Sequence, residues 1–381
     1  VKKHVYLDYA ATTPVDKAVV EKMIPYFNEY YGNPSSIHWY GEQADAILMQ
    51  CRELVAQQFN VAPDEVIFTG GGTESDNLAI RSLAYMRREK HGSIRILTTP
   101  VEHPGVTRTI DQLVRINGFE VEYLPVDQYG MVDPQDVLSA LSSNISLVSV
   151  IHGNNEIGSI NPVGEIGQLC KDHGIPFHTD AVQSAAHLDF TLGSLKTDFI
   201  SIGAHKFYGP KGVGALISSK HYPIEAVISG GSQEYGKRAG TQNVPLIIGL
   251  TESIKVLRAN LAQDEAQFEH HRNLITEFVL ESIPDVKLTG HPTKRLGNHS
   301  SFVFKDIDGN QLVRALDTKG FACSSGSACK SGNPKPSAVL KAIGLSFPWT
   351  SGSLRVTTGR HTTDEEVGEF CSVLAKTIKS L

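Results

Sequence analysis

The sequence predicts an α/β protein: a mainly parallel, seven-stranded sheet covered by helices, followed by a smaller α+β unit. Three observations carry this reading. Over residues 16–217, helix-forming stretches alternate with seven short apolar runs rich in β-branched residues. Polar and glycine-rich motifs stand where those runs end, which is where open α/β sheets bind ligands. Residues 244–283 are then almost wholly helix-forming, with no proline after Pro245, before the alternation resumes.

In order, helices are expected over 16–30, 42–59, 74–89, 106–117, 134–142 and 164–173, and strands over 66–69, 94–98, 119–124, 146–151, 176–179, 199–202 and 214–217. Pro284-Asp285 stops the long helical stretch. The remainder predicts strands near 286–288, 300–304 and 354–357 and helices near 311–318, 336–343 and 363–380. No internal repeat or low-complexity tract interrupts the pattern.

Composition narrows the function classes. A chain of 381 residues, 40% hydrophobic and 20% charged, has ample material for a buried core. A net charge of -6 supplies no basic excess for direct nucleic-acid or membrane-surface binding. No apolar run approaches the roughly 18–20 residues that span a bilayer. Asp8 interrupts the opening residues before any signal-peptide core can form. Five scattered cysteines, Cys51, Cys170, Cys323, Cys329 and Cys371, fit free thiols in a reducing cytoplasm. None has zinc spacing, so no metal is expected.

The most informative motif is Ile200-Ser201-Ile202-Gly203-Ala204-His205-Lys206, a lysine closing an apolar run before a Gly/Pro turn. Its counterpart is Phe177-His178-Thr179-Asp180-Ala181-Val182-Gln183, a second run ending in an acid. A lysine at one strand end and an aspartate at another suit pyridoxal phosphate: the amine forms a Schiff base, and the carboxylate keeps the pyridinium nitrogen protonated. Gln183 is placed to reach the ring's phenolic oxygen. The alternative, a helix-capping Asp180 and a solvated Lys206, needs two independent coincidences.

Other motifs are weaker alone. Gly70-Gly71-Gly72-Thr73 opens a helix after a strand, suiting a phosphate, although a capped glycine turn reads the same way; it is not a Walker A loop. His103 stands where an imidazole would stack on a cofactor ring or move protons, or simply precede a helix. His152-Gly153-Asn154-Asn155-Glu156 offers polar groups at a strand end or an Asn/Gly turn. The loop 230–243, with Arg238 and Thr241, suits an anion or is a solvated linker. Cys329, in a small polar loop beside Lys330, breaks from the helical pattern of Cys51, Cys170 and Cys371. Arg355, in an alternating strand, suits a carboxylate or a structural ion pair.

Together these motifs resemble the cysteine desulfurases of the NifS/IscS type, within the fold-type I pyridoxal phosphate enzymes (class V aminotransferases). The resemblance runs from Tyr6-Leu7-Asp8-Tyr9-Ala10-Ala11-Thr12-Thr13-Pro14 to Arg355. It is most specific at Thr73-Glu74-Ser75-Asp76-Asn77, Asn154-Asn155-Glu156-Ile157-Gly158, His205-Lys206, Arg238-Ala239-Gly240-Thr241 and Ser324-Ser325-Gly326-Ser327-Ala328-Cys329, the last resembling the long-loop first group. It implies a large cofactor domain at 15–261, and a small domain, 1–14 with 262–381, carrying the cysteine loop. It implies that Lys206 carries the Schiff base, Asp180 meets the ring nitrogen, Gln183 the phenolic oxygen, and His103 stacks on the ring. Gly72, Thr73 and His205 would hold the phosphate, with Thr241 arriving from the second subunit of a homodimer. Asn155 and Arg355 would bind the carboxylate of L-cysteine, Lys206 would take the α-proton, and Cys329 would accept the sulfur as a persulfide, releasing L-alanine. A sulfur-acceptor protein in iron–sulfur assembly, tRNA thiolation or DNA phosphorothioation would then receive it.

The sequence departs from that pattern in three places. Gly203 stands three residues before Lys206, where the family usually has a phosphate-binding hydroxyl; Ser201, on the same strand face, is the candidate to replace it. Pro104-Gly105 after His103 is unusual, as is a second thiol, Cys323, which reads as strand packing or as a sulfur relay. Rival readings are an aminotransferase or C–S lyase without persulfide chemistry, and a sulfur-relay scaffold, which would have no use for Lys206.

Overall fold

A computed structural model describes residues 4–326 and 337–381. The strands are β1 (Val5–Tyr6), β2 (Val66–Thr69), β3 (Arg95–Thr98), β4 (Glu120–Tyr123), β5 (Ile145–Ser149), β6 (Phe177–Asp180), β7 (Phe199–Gly203), β8 (Gly214–Ser218), β9 (Val286–Leu288), β10 (His299–Phe304), β11 (Phe321–Ala322) and β12 (Ser353–Thr357).

The seven-stranded sheet runs β2-β8-β7-β6-β5-β3-β4. β8 is antiparallel to both β2 and β7, and the other pairings are parallel. β2, β5, β7 and β8 are buried along their whole length, as expected of strands covered on both faces. Alternate side chains feed opposite layers. Val66, Phe68, Leu97 and Val148 pack with the helix Trp39–Phe59 on one face, and Ile67, Ile96, Leu147 and Leu216 pack with Gly72–His91 and Pro104–Asn117 on the other.

This topology positions the site. The C-terminal ends of β2, β3, β5, β6 and β7 lie on one edge of the sheet. β3 is also where the chain's progression reverses, toward β4 on one side and β5 on the other. The loops carrying Gly72, His103, Asn155, Asp180 and Lys206 all leave that edge.

The predicted long helical stretch is one helix, Val244–Ser282, of 39 residues, capped by the Asn243 side chain on the Leu246 amide. At about 58 Å it reaches from the sheet's core, through Ile247 and Leu250, to a second apolar cluster at Ile275 and Val279. That second cluster lies against the antiparallel sheet β12-β10-β9 and takes in Val5 and Leu7. β1 pairs with β11, and Asp8 bridges to Thr357 of β12, so the chain's first described residues sit among its last strands.

The expected helix over 16–30 is broken. Lys17–Met23 ends at Ile24, and Pro25 starts a separate turn, Pro25–Asn28, because proline has no N–H to continue the first helix. The two-residue strands β1 and β11 were not predicted; they exist through pairing with each other. Among the described residues, no helix is long and apolar enough to cross a membrane.

Candidate active site

Lys206 sits in a 3-10 turn directly after β7. Its Nζ donates to the backbone carbonyls of Ala10 and Ala11 at 2.6 and 2.9 Å and, among the described residues, to no carboxylate. Burial, then the Arg355 charge, lowers its pKa to about 8, against the pull of Asp180 and Asp8. A cavity of about 360 Å³ opens beside it, lined among others by Thr73, His103, Asn155, Asp180, Gln183 and Arg355. The site residues expected from separate strand ends therefore converge, with Gly72 and His205 on the same wall.

Asp180 ends β6, 4% exposed. Burial raises its pKa; His103, the Val182 amide and Lys206 oppose that rise. The amide donates to Oδ1 at 2.9 Å. His103 caps the helix Pro104–Asn117 by accepting the Gly105 amide on Nδ1. Gln183 lines the cavity, and its Nε2 donates to Ala10 O at 2.7 Å.

At the phosphate end, Gly71 takes φ 147° and Gly72 opens a 20-residue helix toward the cavity. A Cβ on Gly72 would fall 2.4 Å from Val182, so the close approach needs glycine. His205 accepts or donates at Nδ1 with Thr12 Oγ1, and burial followed by Lys206 and Lys211 holds its pKa near 4, favouring the neutral ring.

Ser201 does not take the place proposed for it. It shares a strand face with Gly203 but lies about 7 Å further back. Its hydroxyl is fully buried against His178 Nε2 at 3.0 Å and lines no cavity at the site. The position facing the phosphate end is Gly203 itself, where a Cβ would stand 3.4 Å from the Gly72 amide.

Arg355 donates from Nη1 to Asn155 O and from Nη2 to Asp8 Oδ1, both at 2.8 Å. Its Nε–H has no partner among the described residues. Arg238, a candidate anion ligand, instead pairs with Glu74, its Nε 2.8 Å from Oε1. Thr241 is exposed and does not line the cavity beside Lys206 in its own chain. A second cavity of about 740 Å³ adjoins the first across Gly72, Thr73 and His205 and carries Lys211, Lys237 and Arg238.

Cys329 lies outside the described residues. The flanks of its segment are held by the Gly326 amide on Ser353 Oγ and by Ser337 Oγ donating to Glu156 Oε2. Cys323 is 8% exposed in the second apolar cluster, with Ile275 and Val279, and burial pushes its thiol up to about 12. The strand-packing reading is therefore the better supported. Cys323→Ser is expected to leave persulfide labelling and turnover unchanged; a loss of label on this variant would restore the relay. Cys51, Cys170 and Cys371 are buried, with thiols raised by burial, as their helical patterns suggested.

Sequence reasoning assigned no role to Asp8, Asp76, Glu102 or the Ala10 and Ala11 carbonyls, all at the site. Asp76 was visible inside the motif Thr73-Glu74-Ser75-Asp76-Asn77; the carbonyls leave no sequence signal.

An aminotransferase class-V family model matches residues 5–370. The chain belongs to that family, among its cysteine desulfurases. It is 43% identical over 380 residues to the cysteine desulfurase IscS of Dictyoglomus turgidum, covering 100% of this chain and 96% of the relative. A NifS-like protein of known structure superposes with a TM-score of 0.92 at 33% identity, covering 99% of this chain and all of the other. The structure of SspA in complex with cysteine matches with a TM-score of 0.82 at 33% identity, over 95% of this chain and 100% of that one. The fold is thus that of the NifS-like enzymes, as the alternating pattern and strand-end motifs had suggested.

Proposed function

We propose that this chain is a pyridoxal phosphate-dependent cysteine desulfurase that converts L-cysteine to L-alanine and takes the sulfur on Cys329 as a persulfide. One observation carries the cofactor reading: a partly buried lysine with no ion-paired acid among the described residues and a buried aspartate line a single cavity that adjoins a glycine-built helix N-terminus. The group fits on the chain's own terms, because Gly203 leaves open the space a Cβ would fill beside the Gly72 amide.

When bound, pyridoxal phosphate supplies an electron sink at the substrate's α-carbon. Lys206 would hold the cofactor through its amine and, once free, would take the substrate's α-proton, a role its lowered pKa supports. Asp180 would keep the ring nitrogen protonated, Gln183 would bind the phenolic oxygen, and His103 would face the ring and move protons around the thiols. Gly72, Thr73 and His205 hold the phosphate; Asn155 and Arg355 hold the substrate carboxylate, the latter with its unpartnered Nε–H. The Cys329 thiol adds the substrate sulfur, so cysteine plus thiol gives alanine plus persulfide.

This reading includes a homodimer in which Thr241 completes the partner's phosphate site. Its support is that Thr241 reaches nothing in its own chain's cavity, and that Phe27, Tyr31, Ile37 and Trp39 are 61–95% exposed on one short stretch. It also includes two domains, 15–261 and 1–14 with 262–381, supported by the separate apolar clusters. A sulfur-acceptor protein as partner, a reducing cytoplasmic setting, and no direct binding of nucleic acid complete it.

Cys329→Ala is expected to bind pyridoxal phosphate as wild type does, yet to lose at least about 10³-fold in alanine formation from L-cysteine under reducing conditions. Undiminished alanine formation would instead favour a C–S lyase without persulfide chemistry.

A further inference from the structure

Asp76 is an acid at a place where the proposed chemistry needs only one. It lies in the helix Gly72–His91, 1% exposed. Atoms of its carboxyl, of the Asp180 carboxyl and of the His103 ring all lie within 4.8 Å of one another. Among the described residues no lysine or arginine pairs with it; its one ion-pair-range neighbour is His178 Nε2 at 3.6 Å. His178 brings no charge. It is fully buried between the hydroxyls of Ser149 and Ser201, and burial lowers its pKa to about 3.

Two buried carboxyls in one site cannot both ionise without a compensating cation. The surroundings choose between them. Asp180 receives the Val182 amide and faces His103 and Lys206, all favouring its charge. Asp76 Oδ1 has no hydrogen-bond partner among the described residues. Burial and then Asp180 raise its pKa, Glu102 adds to the rise, and only Ser201 opposes it. Its Oδ2 stands over Gly105 of the unusual Pro104-Gly105 step, where an added Cβ would fall 2.7 Å from it. The glycine after His103 thus accommodates Asp76.

We infer that Asp76 is a positioning residue that remains the neutral acid while Asp180 carries the pair's single negative charge, so that the cofactor's ring nitrogen meets one charge and not two. This rests on the pyridoxal phosphate reading above. The titratable groups facing the pair are His178 on β6, Glu102 and His103 on the loop after β3, and Lys206 from the turn after β7. Glu102, raised by burial to about 8, accepts from Thr99 and the Ile151 amide and adds no cation.

The test uses the holoenzyme loaded with pyridoxal phosphate. With aspartate labelled by carbon-13 at its side-chain carboxyl, the carbon spectrum at pH 8 is expected to show one aspartic acid still protonated, absent from Asp76→Asn. Asp198, raised only to about 6, is ionised there and does not interfere. Asp76→Asn, a neutral replacement, should bind pyridoxal phosphate within about twofold of wild type and keep the pH midpoint of the bound cofactor's visible band. Full ionisation of every labelled aspartate at pH 8 in wild type would overturn the inference whether or not the variant folds. So would a fall of about half a unit or more in the midpoint in Asp76→Asn, the sign of a lost negative charge. Wild-type protein that takes up no pyridoxal phosphate would overturn the cofactor reading itself, and this inference with it.

Discussion

Arg52→Ala is expected to destabilise the protein by about 3–5 kcal/mol, the cost of stranding a buried charge. Arg52 and Glu234 are 2% and 3% exposed. They form a two-pronged pair at 2.7 and 2.8 Å, and Arg52 Nη1 also donates to Val66 O. Glu234 additionally accepts the Phe68 amide, and the guanidinium lies 4.9 and 5.1 Å from the ring centroids of Phe68 and Tyr235. The pair thus ties the helix Trp39–Phe59 and β2 to the loop 230–243, holding Glu234 and Tyr235 at φ 51° and 58°, where non-glycine residues are strained. For a chain of this length a loss of about 4 kcal/mol lowers the melting midpoint on the order of 5 °C. Arg52→Lys should fall between wild type and alanine, because an ammonium cannot grip both carboxylate oxygens in the same plane. Faster proteolysis within 230–243 should accompany the loss, since Arg238 and Thr241 hang on the same anchor. A melting midpoint for Arg52→Ala within 1 °C of wild type would remove the pair from any account of stability.

The same anchor shows where the sequence stops being readable. Arg52 sits in a helical pattern and Glu234 in a polar loop, 182 residues apart. Nothing local marks either as buried, and both look like ordinary surface charges. The strands were legible for the opposite reason. β2 and β9 match their expected bounds because continuous or bounded β-branched runs are a local signal. β1 and β11 have two residues each and no such signal; only their mutual pairing creates them. The site divides in the same way. Lys206 and Asp180 were legible as chemistry ending an apolar run, but Asp8 and the Ala10 and Ala11 carbonyls meet the site only because β1 pairs with β11 and Asp8 bridges to Thr357 of β12. Ser201 illustrates the converse error. Strand periodicity put it on the correct face, yet period alone does not say how deep along that face a residue lies. Arg238 suits an anion by residue type alone, and the structure pairs its guanidinium with Glu74.

Lys206→Ala is expected to lower turnover of L-cysteine at least about 10³-fold, because one amine serves both as the cofactor's tether and as the proton acceptor. Lys206→Arg should be no better: its guanidinium keeps the charge but stays protonated and cannot form the imine link. The protein environment prepares the amine for this work. An unperturbed lysine of pKa 10.5 is only about 0.3% neutral at pH 8, whereas at a pKa of about 8 half of Lys206 is neutral. The direction follows from position. Burial and the Arg355 guanidinium disfavour the ammonium, while Asp180 and Asp8 favour it less strongly. The acid limb of kcat, which reports the enzyme–substrate complex in which the Lys206 amine is free, is accordingly expected to rise through about pH 8. Asp8→Asn supplies the check on sign. It removes a negative charge that supports the ammonium and frees Arg355, which Asp8 holds at 2.8 Å, so both effects lower the Lys206 pKa and move the acid limb to lower pH. A limb that moves upward in Asp8→Asn, or that persists unchanged in Lys206→Arg at comparable turnover, would mean that another group takes the proton.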